Sequence, residues 1–204
     1  MLAADPISHA TGDDEKLAFL RAFRDEMSAR PSVVTPFLAD LLDVSPGPPP
    51  EEMGADDALW WLLHSHDPLA GVRIRAQGGP LLHDPDDQTA IEVRTERELC
   101  ALHALAEIAI RTGDALLSRR GADAALWHLR ELQPDNATNH PWAIHVFVRL
   151  ARSAPDPSER DAALIHAQTQ LHSCQVAMGR PDRLSACILL HAARSLERAP
   201  EGEI

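Results

Sequence analysis

Histidine is the residue in this chain whose number and placement point most directly to chemistry. Seven of the eleven histidines lie between His103 and His191. His103 and Glu107 are one helical turn apart and would face the same side of a helix, which is a common geometry for two ligands of one metal ion. Imidazoles and carboxylates together suit zinc, iron and similar divalent ions. One hypothesis is therefore a histidine-lined cleft between helices, which binds a metal or transfers protons.

The stretch of residues 126–147 is the least generic part of the chain, and it supplies further members of this predicted site. The complete set of predicted ligands for a divalent metal ion is His103, Glu107, His128, Asp135 and His145. We expect His172 or His191 to face these residues across the cleft. Without a metal, a histidine would act as the base, and Glu107 or Asp135 would orient it. No individual residue is assigned a catalytic role from the sequence.

A purely structural interpretation of the same stretch competes with the site hypothesis. Pro134 cannot continue a helix, because it lacks the backbone N–H. Asp135 and Asn136 favour turns, and Pro141 suits the first turn of a following helix. The polar side chains would then satisfy free backbone groups at two helix ends. From the sequence alone we favour this interpretation, since each polar residue already has a structural role.

The first functional hypothesis is a helical interaction or scaffold module that needs no cofactor. The sequence lacks HExxH, paired ExxH, Walker A and GxSxG motifs, so it leaves open whether the protein is an enzyme. The adjacent Trp60 and Trp61 cannot both point to the centre of one helical face. An exposed tryptophan there would mark an interface with a protein partner or with a second copy of the chain. The alternative is the metal-dependent or acid–base enzyme described above.

Charge and hydropathy exclude some classes of partner. The net charge is −12, which argues against nucleic acid, whose phosphates require a basic surface. The negative charge is concentrated in residues 1–98, which hold 19 acidic and 8 basic residues. No apolar run approaches the roughly 18 residues that span a membrane, and no charged-then-apolar leader begins the chain. We therefore predict a cytoplasmic protein with no nucleic-acid or membrane partner.

The composition and the periodicity predict a mainly all-α protein. Hydrophobic residues make up 45% of the chain but aromatic residues only 4%, so the core must be built mostly from aliphatic side chains. Caps and apolar residues at helical spacing predict five helices with short connectors over residues 96–198. Short connectors favour an antiparallel bundle or stacked helical hairpins. Residues 1–95 are predicted to form acidic helices and a Pro-rich connector that pack on this core, giving one structural domain.

Some local patterns in the core-forming half make sharper predictions. Thr95 and Glu98 have the spacing of a capping box, which predicts a helix start. Gly121 is a possible break in the next helix. The long helix that follows Asp156 and Pro157 is predicted to bury a stripe that includes Leu164 and Leu171.

A small β-hairpin near residues 70–95 is the one exception to the all-α prediction. Residues 72–75 and 90–94 alternate between apolar and polar side chains, with a turn-like segment and an Asp-rich loop between them. A two-stranded ribbon is marginally stable alone, so it would have to lie on the helices.

Overall fold

The computed structural model of the protein describes residues 12–25, 27–75, 78–82, 89–132, 140–176 and 182–198. Within these residues the chain forms nine helices and no strand, which confirms the all-α prediction. The arrangement as a bundle or as stacked hairpins stays a prediction, as does the domain organisation. The helices are α1 (Asp13–Ala22), α2 (Val34–Leu42), α3 (Ala55–Leu62), α4 (Pro68–Gly71), α5 (Ile91–Thr112), α6 (Ala115–Glu131), α7 (Ile144–Ser153), α8 (Pro157–Val176) and α9 (Arg183–Arg198).

Helix α5 lies at the centre of the fold. It contacts α3, α6, α7 and α9, and every residue from Glu98 to Ala109 is buried. A helix with apolar or small residues on all sides is stable only when neighbours enclose it. Two polar residues of α5, His103 and Glu107, are therefore buried in the interior. Although α5 has 22 residues, no helix of the described part combines the length and apolar character needed to cross a membrane.

The predicted capping box at the start of α5 is wrong. The helix begins at Ile91, so Thr95 lies inside it. The Glu98 carboxylate instead accepts hydrogen bonds from the backbone N–H groups of Leu81 at 2.7 Å and Leu82 at 2.8 Å. Glu98 therefore fixes the incoming segment against α5, because buried N–H groups need acceptors.

The predicted β-hairpin near residues 70–95 is also wrong where the structure describes it. Residues 91–94 form the first turn of α5, and residues 72–75 have no regular structure. The predicted loop over residues 83–88 lies outside the described residues. Ile91 and Val93 are both exposed, so the alternating pattern has no sheet to pack against. Extending an existing helix costs less than forming a two-stranded ribbon, because only the nucleus of a helix is costly.

Helix α6 continues through Gly121 without a break. Gly113 ends α5 in the left-handed conformation, with φ of 65°, and Asp114 caps α6. The Asp114 carboxylate accepts the N–H groups of Leu116 and Leu117. An added Cβ at Gly121 would lie 3.7 Å from Leu102 Cδ1, which is an ordinary van der Waals contact.

The predicted core stripe of α8 is wrong at Leu164 and Leu171, although Cys174, a third member of the predicted stripe, is buried and the fourth, Met178, lies outside the described residues. Leu164 and Leu171 remain 48% and 38% exposed. The buried face combines small and polar side chains, namely Ala163, His166, Ala167, Gln170 and Cys174. Helix α8 packs along α7, where small side chains allow the two backbones to approach closely. The leucine pattern therefore marks the outer side of this helix.

Trp60 belongs to the core, so the prediction that it forms an interface is wrong. It is fully buried, whereas Trp61 is partly exposed. The ring centroid of Phe37 lies 5.1 Å from Trp60 and 5.0 Å from Trp142, both in edge-to-face geometry. These three rings form an aromatic cluster between α2, α3 and the segment before α7. Because Trp61 is partly exposed, the predicted interface stays a prediction for Trp61 alone.

A buried ion-pair network fixes the segment that leads into α7. His140 Nδ1 lies 2.7 Å from Glu96 Oε1, and His140 Nε2 lies 3.3 Å from Asp182 Oδ2. Trp142 Nε1 donates to the same Glu96 oxygen at 2.9 Å. Burial alone would lower the pKa of His140, but the hydrogen bonds to Asp182 and Glu96 outweigh it and raise the pKa to about 10. His140 is therefore a charged link between α5 and the start of α9.

The raised pKa of His140 predicts a loss of stability at alkaline pH. The ring has a pKa of roughly 6.5 in an unfolded chain. Its ion pairs therefore contribute fully below that pH, and the contribution is lost as the pH rises through about 10. We expect His140→Gln to remove about 2–4 kcal/mol of pH-dependent unfolding free energy between pH 6.5 and 10, since one pKa unit corresponds to about 1.4 kcal/mol. Urea denaturation at pH 6.5 and at pH 10 measures the unfolding free energy of this variant, and the exposed His172→Gln is the control. An equal pH dependence of the unfolding free energy in the two variants would contradict the prediction.

Two glycines give a matched test of helix α6 and its connector. Gly121→Ala should raise the unfolding free energy by about 0.5–1 kcal/mol, because alanine favours the helix and its Cβ has room. Gly113→Ala should lower it by about 1 kcal/mol, because the added Cβ is strained at φ of 65°. Thermal and urea unfolding of both variants measure the changes. Destabilisation by Gly121→Ala would show that the contact with α5 does not tolerate a methyl group.

Candidate functional site

Four helices bring five ionisable side chains together in the interior. Asp40 comes from α2, His103 and Glu107 from α5, His145 from α7 and His191 from α9. The ligand atoms of His103, Glu107 and His145 all lie within 4.8 Å of one another, and so do those of Asp40, Glu107 and His191. We refer to these five residues as the histidine–carboxylate cluster. Glu107 belongs to both groups and therefore lies at their junction.

A chain of hydrogen bonds runs through the cluster. The Ala143 N–H donates to His103 Nδ1 at 3.2 Å, so the proton of a neutral His103 ring is on Nε2. His103 Nε2 lies 3.0 Å from His191 Nδ1, which accepts this proton in a hydrogen bond. His191 Nε2 in turn donates to Asp40 Oδ2 at 2.9 Å. The contacts at the two ends of this series of hydrogen bonds, with the Ala143 N–H and with Asp40, thus fix the tautomers of both histidines.

Arginines from the edge of the protein compensate both carboxylates. Arg111 Nη2 donates to Asp40 Oδ2 at 2.6 Å, and Arg198 Nη2 donates to Glu107 Oε2 at 2.8 Å. Ser195 Oγ donates to the other Glu107 oxygen. Burial alone would raise the pKa of Asp40, but the hydrogen bond from His191 and the charge of Arg111 outweigh it and lower the pKa. Asp40 therefore stays ionised inside the protein.

His145 is the member of the cluster without a hydrogen-bond partner. It is fully buried, and neither of its ring nitrogens has a partner within the described part of the chain. Its ring centroid lies 4.3 Å from that of His103. Burial, and then the neighbouring histidines, lower the pKa of both rings well below the usual value. Both imidazoles are therefore neutral, which is the form that binds metals, and an unsatisfied buried nitrogen costs about 1–3 kcal/mol.

The aromatic cluster encloses the histidines. Trp60 lies 5.3 Å from His103 and 5.5 Å from His191, measured between ring centroids. Trp142 lies 5.6 Å from His103. Trp60 Nε1 is occupied by a hydrogen bond to Cys100 Sγ at 3.3 Å. These rings exclude water and lower the local dielectric constant, which strengthens every charge interaction in the site.

A surface cavity gives access to one side of the cluster. It has a volume of about 780 Å³, and Asp40 and His191 are among its lining residues. Three arginines also line it, namely Arg111, Arg194 and Arg198. His103, Glu107 and His145 do not line this cavity and are fully buried. A small molecule in the cavity would therefore meet His191 and Asp40 first.

The structure brings together only some of the residues predicted from the sequence. His103, Glu107 and His145 meet, and His191 joins them as the facing histidine. His128 is not a member, because it is buried elsewhere beside His166. His172 is exposed and does not join the cluster, and Asp135 lies outside the described residues.

Sequence reasoning missed Asp40, Ser195 and Arg198. Asp40 carried a signal, because it is a lone acidic residue among apolar ones in α2. An acid on the buried side of an apolar helix needs a charged or hydrogen-bonding partner. Ser195 and Arg198 carried none, since serine and arginine near the end of a helix are common on surfaces.

Comparison with family models, curated proteins and solved structures finds no match for this chain. The site is therefore interpreted from its geometry alone.

Proposed function

We propose that the protein binds one divalent transition-metal ion through His103, Glu107 and His145 and is a metal-dependent enzyme. The observation that carries the proposal is His145, a fully buried imidazole whose two nitrogens lack partners. Its ligand atoms lie within 4.8 Å of those of His103 and Glu107. His103 would join the ligand set by exchanging one of its hydrogen bonds, to the Ala143 N–H or to His191, for a bond to the ion. A buried polar group without a partner calls for an explanation, and a bound ion supplies it.

The ligand set narrows the kind of metal. Two imidazoles and one carboxylate, with positions left for water or substrate, suit zinc and iron(II). Metal–ligand bonds of about 2.1 Å place the ligand atoms of a tetrahedral ion about 3.4 Å apart. The ligand atoms of His103, Glu107 and His145 lie within 4.8 Å of one another, so binding would draw these side chains closer together. An ion held by these residues would act as a Lewis acid and would lower the pKa of a bound water.

His191 and Asp40 are suited to act as the base beside this ion. His191 Nδ1 accepts a hydrogen bond from His103 Nε2 at 3.0 Å, so it could take a proton from a substrate or a water only after this bond is released. Asp40 holds the opposite nitrogen at 2.9 Å and would stabilise the imidazolium form. Both residues line the surface cavity, so a substrate there would contact them, whereas the proposed ligands His103, Glu107 and His145 are fully buried and do not line it.

Metal analysis of protein without a histidine tag tests the proposal. We expect about one zinc or iron(II) ion per chain, and at least tenfold weaker binding in His145→Phe, since one of three ligands is lost. Phenylalanine preserves the volume and removes the unsatisfied nitrogens, so this variant should fold. His172→Phe, the same change at an exposed position, is the control. Calorimetric titration with Zn²⁺, and with Fe²⁺ under anaerobic conditions, measures the affinity.

Two results would contradict the metal proposal. One is a folded wild-type chain that binds neither ion, and the other is equal affinity in His145→Phe. In the first case an acid–base site without a metal, built on His191 and Asp40, becomes the better description.

The interaction or scaffold module is the second candidate function, and helix α8 supplies its support. Leu164, Ile165 and Leu171 are exposed on the outer side of that helix. A patch of large apolar side chains on a surface favours association with another protein surface. If a second copy of the chain is the partner, light scattering will show a dimer that Leu164→Glu with Leu171→Glu converts to monomers. A monomer at all concentrations removes the homo-oligomer version.

A further inference from the structure

The outer face of helix α8 differs in charge from the rest of this acidic chain. Residues 162–179 contain no Asp, Glu, Lys or Arg, and no other stretch of the chain is as long without them. The chain as a whole has a net charge of −12. Within this stretch, Leu164, Ile165 and Leu171 remain 48%, 54% and 38% exposed. The face therefore combines exposed apolar side chains with a lack of charge that is unusual for a protein surface.

The exposed side chains of this part of α8 form one stripe. Between residues 161 and 175, seven positions are exposed, and the intervening ones are buried or partly buried. At 3.6 residues per turn, all seven lie within about 60° of residue 168 around the helix axis. The members of the stripe are Asp161, Leu164, Ile165, Gln168, Leu171, His172 and Gln175. Their spacing is symmetric, because exposed positions occur three, four and seven residues on either side of residue 168.

The chemistry of the stripe favours a second copy of the chain over other partners. A basic protein would gain more from residues 1–98, which hold 19 acidic and 8 basic residues, than from an uncharged stripe. A helix that lies on a membrane surface is typically rich in Lys and Arg beside its apolar face, and this stripe has neither. Two copies of a chain with a net charge of −12 repel each other, so they meet most easily where like charges are absent.

We propose that two copies of the chain pair through α8 in antiparallel orientation, with a two-fold axis beside Gln168. In this arrangement Leu164 packs against Leu171 of the second copy, and the symmetry repeats the contact. Ile165 packs against His172 of the second copy. The two Gln168 amides meet at the axis, where each can donate to the other. The proposal rests on the interaction-module candidate, to which it adds a partner and a geometry, and it is independent of the proposed metal site.

Asp161, the one charged residue of the stripe, favours the antiparallel direction. With antiparallel helices it lies opposite Gln175 of the second copy, whose amide N–H groups can donate to the carboxylate. With parallel helices in register, the two Asp161 carboxylates would face each other and repel. A single pair of helices buries less area than a standard interface between proteins, so we expect a dissociation constant in the micromolar range.

Opposite charges at residue 168 test whether the two copies meet there. Gln168 is exposed, so Gln168→Glu and Gln168→Lys should fold like the wild type. We expect sedimentation equilibrium to show a monomer–dimer equilibrium for the wild type and at least tenfold weaker dimerisation of each variant alone, because like charges meet at the axis. A 1:1 mixture of the two variants should recover dimer formation, because opposite charges then meet. A wild type that stays monomeric at all concentrations would overturn the proposal, and so would equal dimerisation of the wild type and both variants.

Single cysteines test the direction of the pairing. The native Cys100, Cys174 and Cys187 are buried, so introduced surface thiols react selectively. We expect a short bismaleimide to crosslink a 1:1 mixture of Asp161→Cys and Gln175→Cys, and to give no more crosslinked dimer with either variant alone than with the wild type.

The remaining outcomes separate this proposal from the interaction-module candidate. Crosslinking of Asp161→Cys alone would show parallel pairing and overturn the proposed geometry. A dimer that neither crosslinks nor responds to charges at residue 168 would show association through another face, so this proposal would fail while the interaction-module candidate stands. A monomer that binds phosphatidylcholine vesicles would assign the stripe to a membrane surface and overturn both.

Discussion

The enclosure of helix α5 from Glu98 to Ala109 is the constraint on which the rest of the structure depends. Because all its sides are covered, His103 and Glu107 cannot reach water. An ionised or polar group in that position needs partners from the protein itself. Helix α9 therefore supplies Ser195 and Arg198 to Glu107, and His191 to His103. The neighbouring helices therefore lie where their side chains can pair with the polar residues of α5.

The free-energy cost of burying three imidazoles and two carboxylates together is an argument for function. Three imidazoles and two carboxylates in one interior are less stable than well-packed apolar residues of similar volume. Arginines from the edge neutralise the carboxylates, and the aromatic cluster holds the rings in place. Yet neither ring nitrogen of His145 makes a hydrogen bond to these or to other described residues. This neutral imidazole is the observation on which the proposed metal site rests.

Part of this site was accessible from the sequence. His103 and Glu107 share a helical face, and His145 interrupts an apolar helix, so all three were identified by local spacing. The same spacing also selected His128, which proved to lie beside His166 in a different part of the interior. Periodicity tells which residues of one helix point the same way, but not which helix they meet. The leucines of α8 show the same limit, since their regular spacing marks the outer face.

The sequence by itself determined the all-α class, the start of α8 at Pro157, and the absence of a known catalytic motif. These features depend on contacts within a few residues, because helix hydrogen bonds and caps are local. Only the tertiary structure decided that residue 40 would meet residues 107 and 191, that residue 145 would meet residues 103 and 107, and that Trp60 would be buried beside them. Such proximity depends on how whole helices pack, and that packing is the sum of many weak contacts between residues far apart in the chain.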